Sequence, residues 1–451
     1  MSLPSEMIAA LATPAGTAAL AVLRVSGADT LGLARALIGR TPIARRVRRL
    51  DYRDVDGMVL DDVLITYFAG PKSYTGEEVL EISCHGNPYI AQRILEDLLR
   101  RGCRPAGPGE FTQRAFLNGC MDLSQAEAVM DLIHARGEQA LAAANQQLRG
   151  SLGLRMQELV DALLAILARI EAYIDFPDED LPAEDKFDAL ARLSRIILNA
   201  NELIATSHYG AILRDGLKTV IVGLPNAGKS SLLNRLVGHE RALVSAEPGT
   251  TRDFLEERIL VGPHCLRLID TAGLNNCPGT LERLGIAKTL ERAEEADLFL
   301  VVVDATAERS PALPESLQAM IRQKKAIVVM NKSDLCPQPP PPLPSTDTPV
   351  VVVSALTGEG VERLKATIAD TAETFRHDPT NLIAISARHA EALRQASECL
   401  NSAIRRLGDG GPIELVASDL RGVMAAFGEI TGRIDNERML DALFSTFCIG
   451  K

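Results

Sequence analysis

Gly223-Leu224-Pro225-Asn226-Ala227-Gly228-Lys229-Ser230 follows an apolar run at residues 219–222 and precedes a helical run at residues 231–236, and its reading decides the fold of the region around it. A buried strand, a glycine-rich turn and a helix start are the context in which backbone N–H groups close around phosphate oxygens. Lys229 would neutralise the outer phosphates, the helix N-terminus would add its positive end, and the Ser230 hydroxyl would complete a magnesium shell. Asn226, Ala227, Gly228, Lys229, Ser230 and Ser231 therefore form a candidate triphosphate cradle.

Four further segments follow in the order that such a site requires. Ser245, Ala246, Glu247 and Pro248 lead into Gly249-Thr250-Thr251-Arg252, where Thr251 offers magnesium a second hydroxyl. Asp270-Thr271-Ala272-Gly273 closes an apolar run, so that Asp270 can reach magnesium through water and the Gly273 amide can sense the last phosphate. Asn331-Lys332-Ser333-Asp334 ends another strand, and its carboxylate can accept both N–H groups on the edge of guanine. Adenine would present a lone pair there, which favours GTP over ATP. Ser354-Ala355-Leu356 offers a backbone amide to the guanine carbonyl, and the stem of Lys332 can cover the ring.

For hydrolysis, the glutamine that orients water in Ras-like switches is replaced by Leu274. Glu282 is an acidic candidate for that task, with a surface helix glutamate as the plain reading. Arg252 reads equally as a charge-stabilising group and as a structural ion-pair partner. A monovalent cation beside the phosphates could supply the missing charge.

Around this core the chain of 451 residues predicts several domains. Apolar runs at residues 19–25, 63–68 and 79–83 with a helix at 90–101 read as an N-terminal α/β or α+β domain. From Met121 the apolar spacing becomes helical, with Leu159, Leu163, Ile166, Ile170 and Tyr173, then Phe187, Leu190, Leu193 and Ile197. Buried strands at residues 219–222, 265–269, 298–303, 326–330 and 350–353 predict a doubly wound, mostly parallel sheet. Helical spacing then resumes through Leu393, Ala396, Leu400, Ile404 and Leu407, followed by Leu415, Met424 and Phe427. The fold class is thus multidomain α/β plus all-α, with expected segments 1–118, 119–212, 213–375 and 376–451, the sheet domain inserted into the helical one. The proline-rich residues 337–344 read as a surface loop.

Apolar residues make up 46% and charged residues 24% of the chain, and no apolar run reaches the ~20 residues of a membrane span. The N-terminus lacks a secretory pattern, so a cytoplasmic address is expected. Eight cysteines without a C-x-x-C pair indicate reduced thiols rather than zinc or a disulfide framework. A net charge of -11 disfavours nucleic-acid binding driven by phosphate attraction, although the run Arg45, Arg46, Arg48 and Arg49 could form one RNA-facing patch or a solvated surface.

Outside the nucleotide segments stand Leu23-Arg24-Val25-Ser26-Gly27, Ser73-Tyr74-Thr75-Gly76-Glu77, His85-Gly86, the run from Pro108-Gly109-Glu110-Phe111 through Thr112-Gln113-Arg114-Ala115 to Phe116-Leu117-Asn118-Gly119, and the terminal Phe447-Cys448-Ile449-Gly450-Lys451. With these the whole chain resembles the MnmE (TrmE) family of tRNA modification GTPases. The resemblance implies an N-terminal domain that dimerises and binds a tetrahydrofolate derivative (5-formyl or 5,10-methylene), a central helical domain and an inserted Ras-like G domain. It implies a homodimer that joins the flavoprotein MnmG to add a (carboxymethyl)aminomethyl group at C5 of the wobble uridine of certain tRNAs, taking the carbon from folate.

It further implies that Asn226, Ser245, Glu247 and Thr250 hold potassium, that G-domain dimerisation triggers hydrolysis, and that Glu282 orients water. Arg24, Glu81, Cys120 and Lys451 match the folate pocket, with Cys120 standing where the family often has a basic residue. Cys448 matches a thiol linked to the modification chemistry. A prenylation signal is the rival for the tail, but Gly450 and Lys451 fit it poorly. The alternative from another class is a regulatory or ribosome-assembly GTPase that performs no modification.

Overall fold

The computed structural model describes residues 6–175, 183–238, 256–270, 293–307, 313–336, 348–376, 383–432, 440 and 443–450. The chain divides into two compact units, one made of Met1–Met130, Leu152–Gln157 and Gly428–Lys451, the other of Asp131–Ser151 and Glu158–Phe427.

The first unit is built on β1 (Ile8–Leu11), β2 (Leu20–Ser26), β3 (Arg48–Arg53), β4 (Val59–Phe68), β5 (Val79–His85) and β6 (Arg104–Pro105), forming one six-stranded sheet in the order β3-β4-β5-β2-β1-β6. Alternation puts Leu23, Val25, Leu80 and Ile82 on the buried face, where Ala91, Ile94 and Leu98 of α2 (Pro88–Arg100) cover them at helical spacing. The helix begins cleanly because the Asn87 side chain accepts from the Tyr89 amide and Pro88 occupies the first turn. Two further helices, α1 (Thr30–Ile38) and α3 (Glu110–Leu117), belong to the same stretch of chain. Of the basic run, Arg48 and Arg49 lie within β3, and Arg49 Nε donates to Asp62 Oδ2 of β4 at 2.7 Å. Part of that patch is therefore already matched by carboxylate.

α4 (Leu123–His134), α5 (Glu138–Leu148), α6 (Ser151–Asp175), α7 (Ala183–Ala205) and α8 (Ser207–Asp215) follow. The stripe expected on α7 is corrected by the structure: Leu193, Ile196, Ala200 and Leu203 are buried, while Phe187 is 72% exposed. Six residues ahead of Leu193, Phe187 lies about 120° around the helix from the buried seam.

The second sheet runs β12-β11-β10-β7-β9-β8, made of β7 (Leu217–Gly223), β8 (Glu256–Val261), β9 (His264–Asp270), β10 (Leu298–Asp304), β11 (Lys325–Asn331) and β12 (Val350–Val352). All neighbours are parallel except β8 and β9, which form an antiparallel hairpin. Ile221 faces one core with Leu232 and Leu236 of α9 (Lys229–Gly238), while Val220 and Val222 face another with Phe299. Burial on both faces explains the continuous apolar strands. The chain passes from β7 to β9 on one side and returns to β10 on the other, so strand order reverses at the C-terminal end of β7, the place where doubly wound sheets bind ligands. Beyond it come α10 (Glu315–Gln323), α11 (Val361–Glu373), α12 (Ala387–Gly408), which packs along α7, and α13 (Ile413–Thr431).

Two sequence motifs of the first unit meet at Arg114, whose side chain is 1% exposed. Its Nη1 donates to Glu77 Oε2 at 2.9 Å and to the Glu6 carbonyl at 3.0 Å, and its Nη2 donates to Glu110 Oε1 at 2.9 Å. Glu110 also accepts from Arg104 Nη2 at 2.7 Å and from the Gly107 amide at 2.8 Å. Burial pulls the Glu110 carboxyl upward, but these donors outweigh it and hold the group down at about 2. Arg114→Met should therefore destabilise the protein by about 3 kcal/mol in chemical unfolding, since it takes from Glu77 its arginine and from Glu110 one of its two arginines in a largely buried setting. Because the folded value of Glu110 is depressed, its contribution is complete above the usual 4.5 and is lost as pH falls toward about 2, so Glu110→Gln should flatten the stability profile in that window.

Candidate functional site

The loop after β7 is shaped by backbone constraint. Asn226 sits at φ 63° and Gly228 at φ 93°, so the turn curls its amides inward. A Cβ on Gly228 would come within 2.1 Å of Asn331 Nδ2, which explains why only glycine fits. Lys229, the first residue of α9, is buried, and its Nζ donates to the Gly223 and Leu224 carbonyls at 3.0 and 2.8 Å. The ammonium is thereby fixed over the loop on which phosphates would lie. Ser230 and Ser231 are exposed in the first helical turn, Asn226 is exposed on the loop, and Ala227 is buried beneath it.

At the far end of the cradle, Asn331 is 2% exposed and makes two bonds of opposite sense. Its Nδ2 donates to the Ala227 carbonyl at 2.9 Å, and its Oδ1 accepts from the Ala355 amide at 3.0 Å. One side chain thus ties the phosphate loop to residues 354–356. The Ala355 amide is thus engaged by Asn331, and Leu356, 75% exposed, carries the next amide of that loop. Ser354 Oγ donates to Asp334 Oδ1 at 2.6 Å and accepts from the Thr357 amide at 3.1 Å, which aims the exposed Asp334 carboxylate.

Lys332 adopts φ 68°, and its Nζ lies 2.6 Å from Asp304 Oδ2 at the end of β10. Burial pulls the Asp304 carboxyl upward, but the Lys332 ammonium and the Thr306 hydroxyl and amide hold it below the usual carboxylate range. Neither Asp304 nor Arg235 was singled out from sequence. Arg235 of α9 donates from Nε to the Ala355 carbonyl at 3.0 Å and from Nη2 to the Leu356 carbonyl. Neither carried a sequence signal, since Asp304 meets Asn331 only through the parallel register of β10 and β11, and Arg235 is one basic residue on a helix.

Asp270 closes β9 at the level of Ile221, beside the start of the phosphate loop. Ser245, Ala246, Glu247, Pro248, Gly249, Thr250, Thr251, Arg252, Thr271, Ala272, Gly273, Glu282 and Lys451 lie outside the described residues, as does the proline-rich stretch. Of the residues expected to hold cations, Ser230 and Asn226 are described and both are exposed, with oxygens that could serve as ligands.

The first unit brings its candidates together on linked elements. Arg24 and Glu81 face each other across β2 and β5, with Nη2 to Oε1 at 2.8 Å, and the guanidinium lies 5.1 Å from the Tyr74 ring centre and 5.7 Å from that of Phe111. Such a cation between two rings beside a carboxylate suits a flat heterocycle bearing hydrogen-bond donors. Cys120 borders the same loop, since a Cβ on Gly76 would meet its Sγ at 2.9 Å, and burial pushes this thiol up. The tail docks just ahead of Phe111: Ile449 bridges to Pro108, and the Gly109 amide donates to the Cys448 carbonyl at 3.3 Å. Gly450, at φ 96°, approaches so closely that a Cβ would lie 2.3 Å from the Leu11 carbonyl. The Cys448 side chain is exposed.

Comparison with known proteins gives a consistent picture. The family described as "GTP-binding protein TrmE N-terminus" matches residues 7–120, and "MnmE helical domain" matches residues 123–448. A protein of Opitutus terrae named tRNA modification GTPase MnmE is 57% identical over 449 residues, spanning 99% of both chains. Proteins of the same name from Akkermansia muciniphila and Symbiobacterium thermophilum are 42% identical over 460 residues (100% of both chains) and 43% identical over 458 residues (99% of both).

Two substitutions separate the roles of the site. Asp334→Asn should weaken GTP binding by roughly a hundredfold or more and improve binding of xanthosine triphosphate, whose base offers an acceptor where guanine has a donor. Asn331→Ala should weaken both nucleotides alike, by roughly tenfold or more, because it releases the two loops from each other. Equilibrium titration with fluorescent nucleotides distinguishes the two.

Proposed function

This chain belongs to the MnmE family of tRNA modification GTPases, and from that premise we propose that it uses GTP hydrolysis to drive a folate-dependent complex acting on the wobble uridine of tRNA. The observation that carries the nucleotide half is the Asn331 bridge with Asp334 aimed by Ser354, an arrangement that fixes phosphate and base ends at a set separation. Lys229 and the loop amides would balance the triphosphate charge, and Ser230, Thr251 and Asp270 would hold magnesium, which would neutralise charge developing on the phosphates. Glu282 orients the attacking water in place of the missing glutamine. Asn226, Ser245, Glu247 and Thr250 hold potassium beside the phosphates, and pairing of two G domains completes the site. Arg252 contributes positive charge.

In the other half, the Arg24–Glu81 pair flanked by Tyr74 and Phe111 would bind a tetrahydrofolate derivative, with Cys120 and Lys451 assigned to the same pocket by the family resemblance. That group supplies the one-carbon unit when bound. The residues of this chain orient it, and Cys448 stands on the docked tail as the thiol available to the chemistry. The protein acts as a homodimer with MnmG as flavoprotein partner and adds the (carboxymethyl)aminomethyl group at C5 of uridine. Among the described residues no helix is long and apolar enough to cross a membrane.

Two measurements test this reading. Hydrolysis of GTP should be several-fold faster in potassium than in sodium chloride at equal ionic strength, and Asn226→Ala should abolish the difference; equal rates in both salts for the parent protein would remove the cation. Mass analysis of wobble uridines from cells lacking the protein should show unmodified uridine, restored by the parent gene. Failure of Cys448→Ser to restore it assigns the thiol to the reaction, whereas modification that persists without the protein leaves only the regulatory GTPase reading.

A further inference from the structure

Within the second unit, and lined by none of the residues of the nucleotide segments, α4, α5, α8 and β8 enclose a cavity of about 350 Å³, a volume within the range of small-ligand sites. The hollow has a simple origin. Ala140, Ala143 and Ala144 follow one face of α5 at helical spacing, and Gly210 stands opposite on α8, so no side chain fills the space between the two helices. Gly210 cannot be larger, because a Cβ there would lie 2.5 Å from the Ile385 carbonyl.

The walls of this hollow are basic. Arg136, Arg214 and Arg258 line it against the carboxylates of Asp131 and Asp215, and His134 adds a further charge when protonated. Arg214 and Arg258 are half-buried, and neither has an ion-pair or hydrogen-bond partner for its guanidinium among the described residues. Asp215 is exposed at the rim. Arg258 sits on β8, which pairs with β9. A half-buried guanidinium that no carboxylate bonds directly loses hydration for little return, and its planar fork matches the oxygens of phosphate.

We propose that this cavity is a binding site for a small phosphate-class oxyanion, gripped by Arg214 and Arg258. The site is separate from the nucleotide cradle in its residues. It is also connected to it, since β8 pairs along β9, which ends at Asp270. The same chemistry could be supplied by a free phosphate compound or by a phosphate of an RNA backbone. The confined volume and the small residues that shape it favour the free compound.

The test uses the full chain saturated with magnesium and a non-hydrolysable imido analogue of GTP, so that the nucleotide cradle is filled. Titration with inorganic phosphate at constant ionic strength, followed by calorimetry, should show one saturable site with a dissociation constant of roughly millimolar or tighter. Arg214→Gln and Arg258→Gln should each weaken it at least about tenfold without altering the affinity for the nucleotide analogue. Arg258→Lys, which retains charge but loses the fork, should fall between. Thermal unfolding without phosphate confirms that each variant is folded, and if one of the glutamine variants is not, the lysine variant decides. Absence of a saturable site, or unchanged affinity in the variants, overturns the proposal. Displacement of bound phosphate by tRNA overturns it in favour of an RNA-backbone contact; indifference to tRNA supports the free ligand.

Discussion

The buried carboxamide of Asn331 is the joint on which the nucleotide site depends. Donating to one loop and accepting from another, it converts two independent turns into one surface. Its position follows from the sheet. β10 pairs with β7, β11 with β10 and β12 with β11, all in parallel, so their carboxyl ends open at one level, and the register places Asn331 beside Asp304. A buried amide with only one end bonded would cost more than it gave. The glycine at 228 and the turn at 354–356 are therefore constrained by Asn331 as much as by any ligand. Arg235 reinforces the same loop from α9 by bonding two successive carbonyls.

Much of this was legible in the sequence because buried parallel strands declare themselves as short runs of Val, Ile and Leu, and all five strands expected between residues 217 and 353 are present. β8 was not, since Glu256-Glu257-Arg258-Ile259-Leu260-Val261 begins with charge and forms the outer strand of an antiparallel hairpin. In the first unit β3 was equally hidden: Arg48-Arg49-Leu50-Asp51-Tyr52-Arg53 reads as a polar loop, yet as an edge strand it needs to bury little more than Tyr52. Phe187 shows the converse error, an apolar residue whose sequence spacing fits a stripe but whose angle around α7 carries it outward. Side-chain bridges over long separations, such as Asp304 with Lys332, leave almost no local trace.

The motifs that set this chain apart from a generic GTPase acquire a physical reason in the first unit. The Glu77 carboxylate accepts from Ser26 and Arg114, and Ser26 Oγ meets Thr75 Oγ1 at 2.7 Å, so the segments around residues 26, 75 and 114 close into one buried polar network. Tyr74 OH meets Thr112 Oγ1 at 2.9 Å, which holds the tyrosine ring in place beneath Arg24. Such a network is favourable only when its members are all present, so these segments depend on one another.

The docked tail extends that logic to the cysteine. Phe447 packs on Phe444 with ring centres 5.2 Å apart and is buried with Leu123 and Leu440, while two residues later Ile449 pairs with Pro108. Cys448 lies between an apolar anchor and a backbone bridge, so its main chain is fixed on both sides while its thiol faces outward. A residue held only for packing would point inward at such a place. Gly450 is the condition for this geometry, because any side chain there would strike the Leu11 carbonyl and lift the tail from β1. The short spacing between phenylalanine, cysteine and glycine thus sets an anchor, an exposed thiol and a close approach in sequence, and the position of the thiol relative to Phe111 and Arg24 depends on all three.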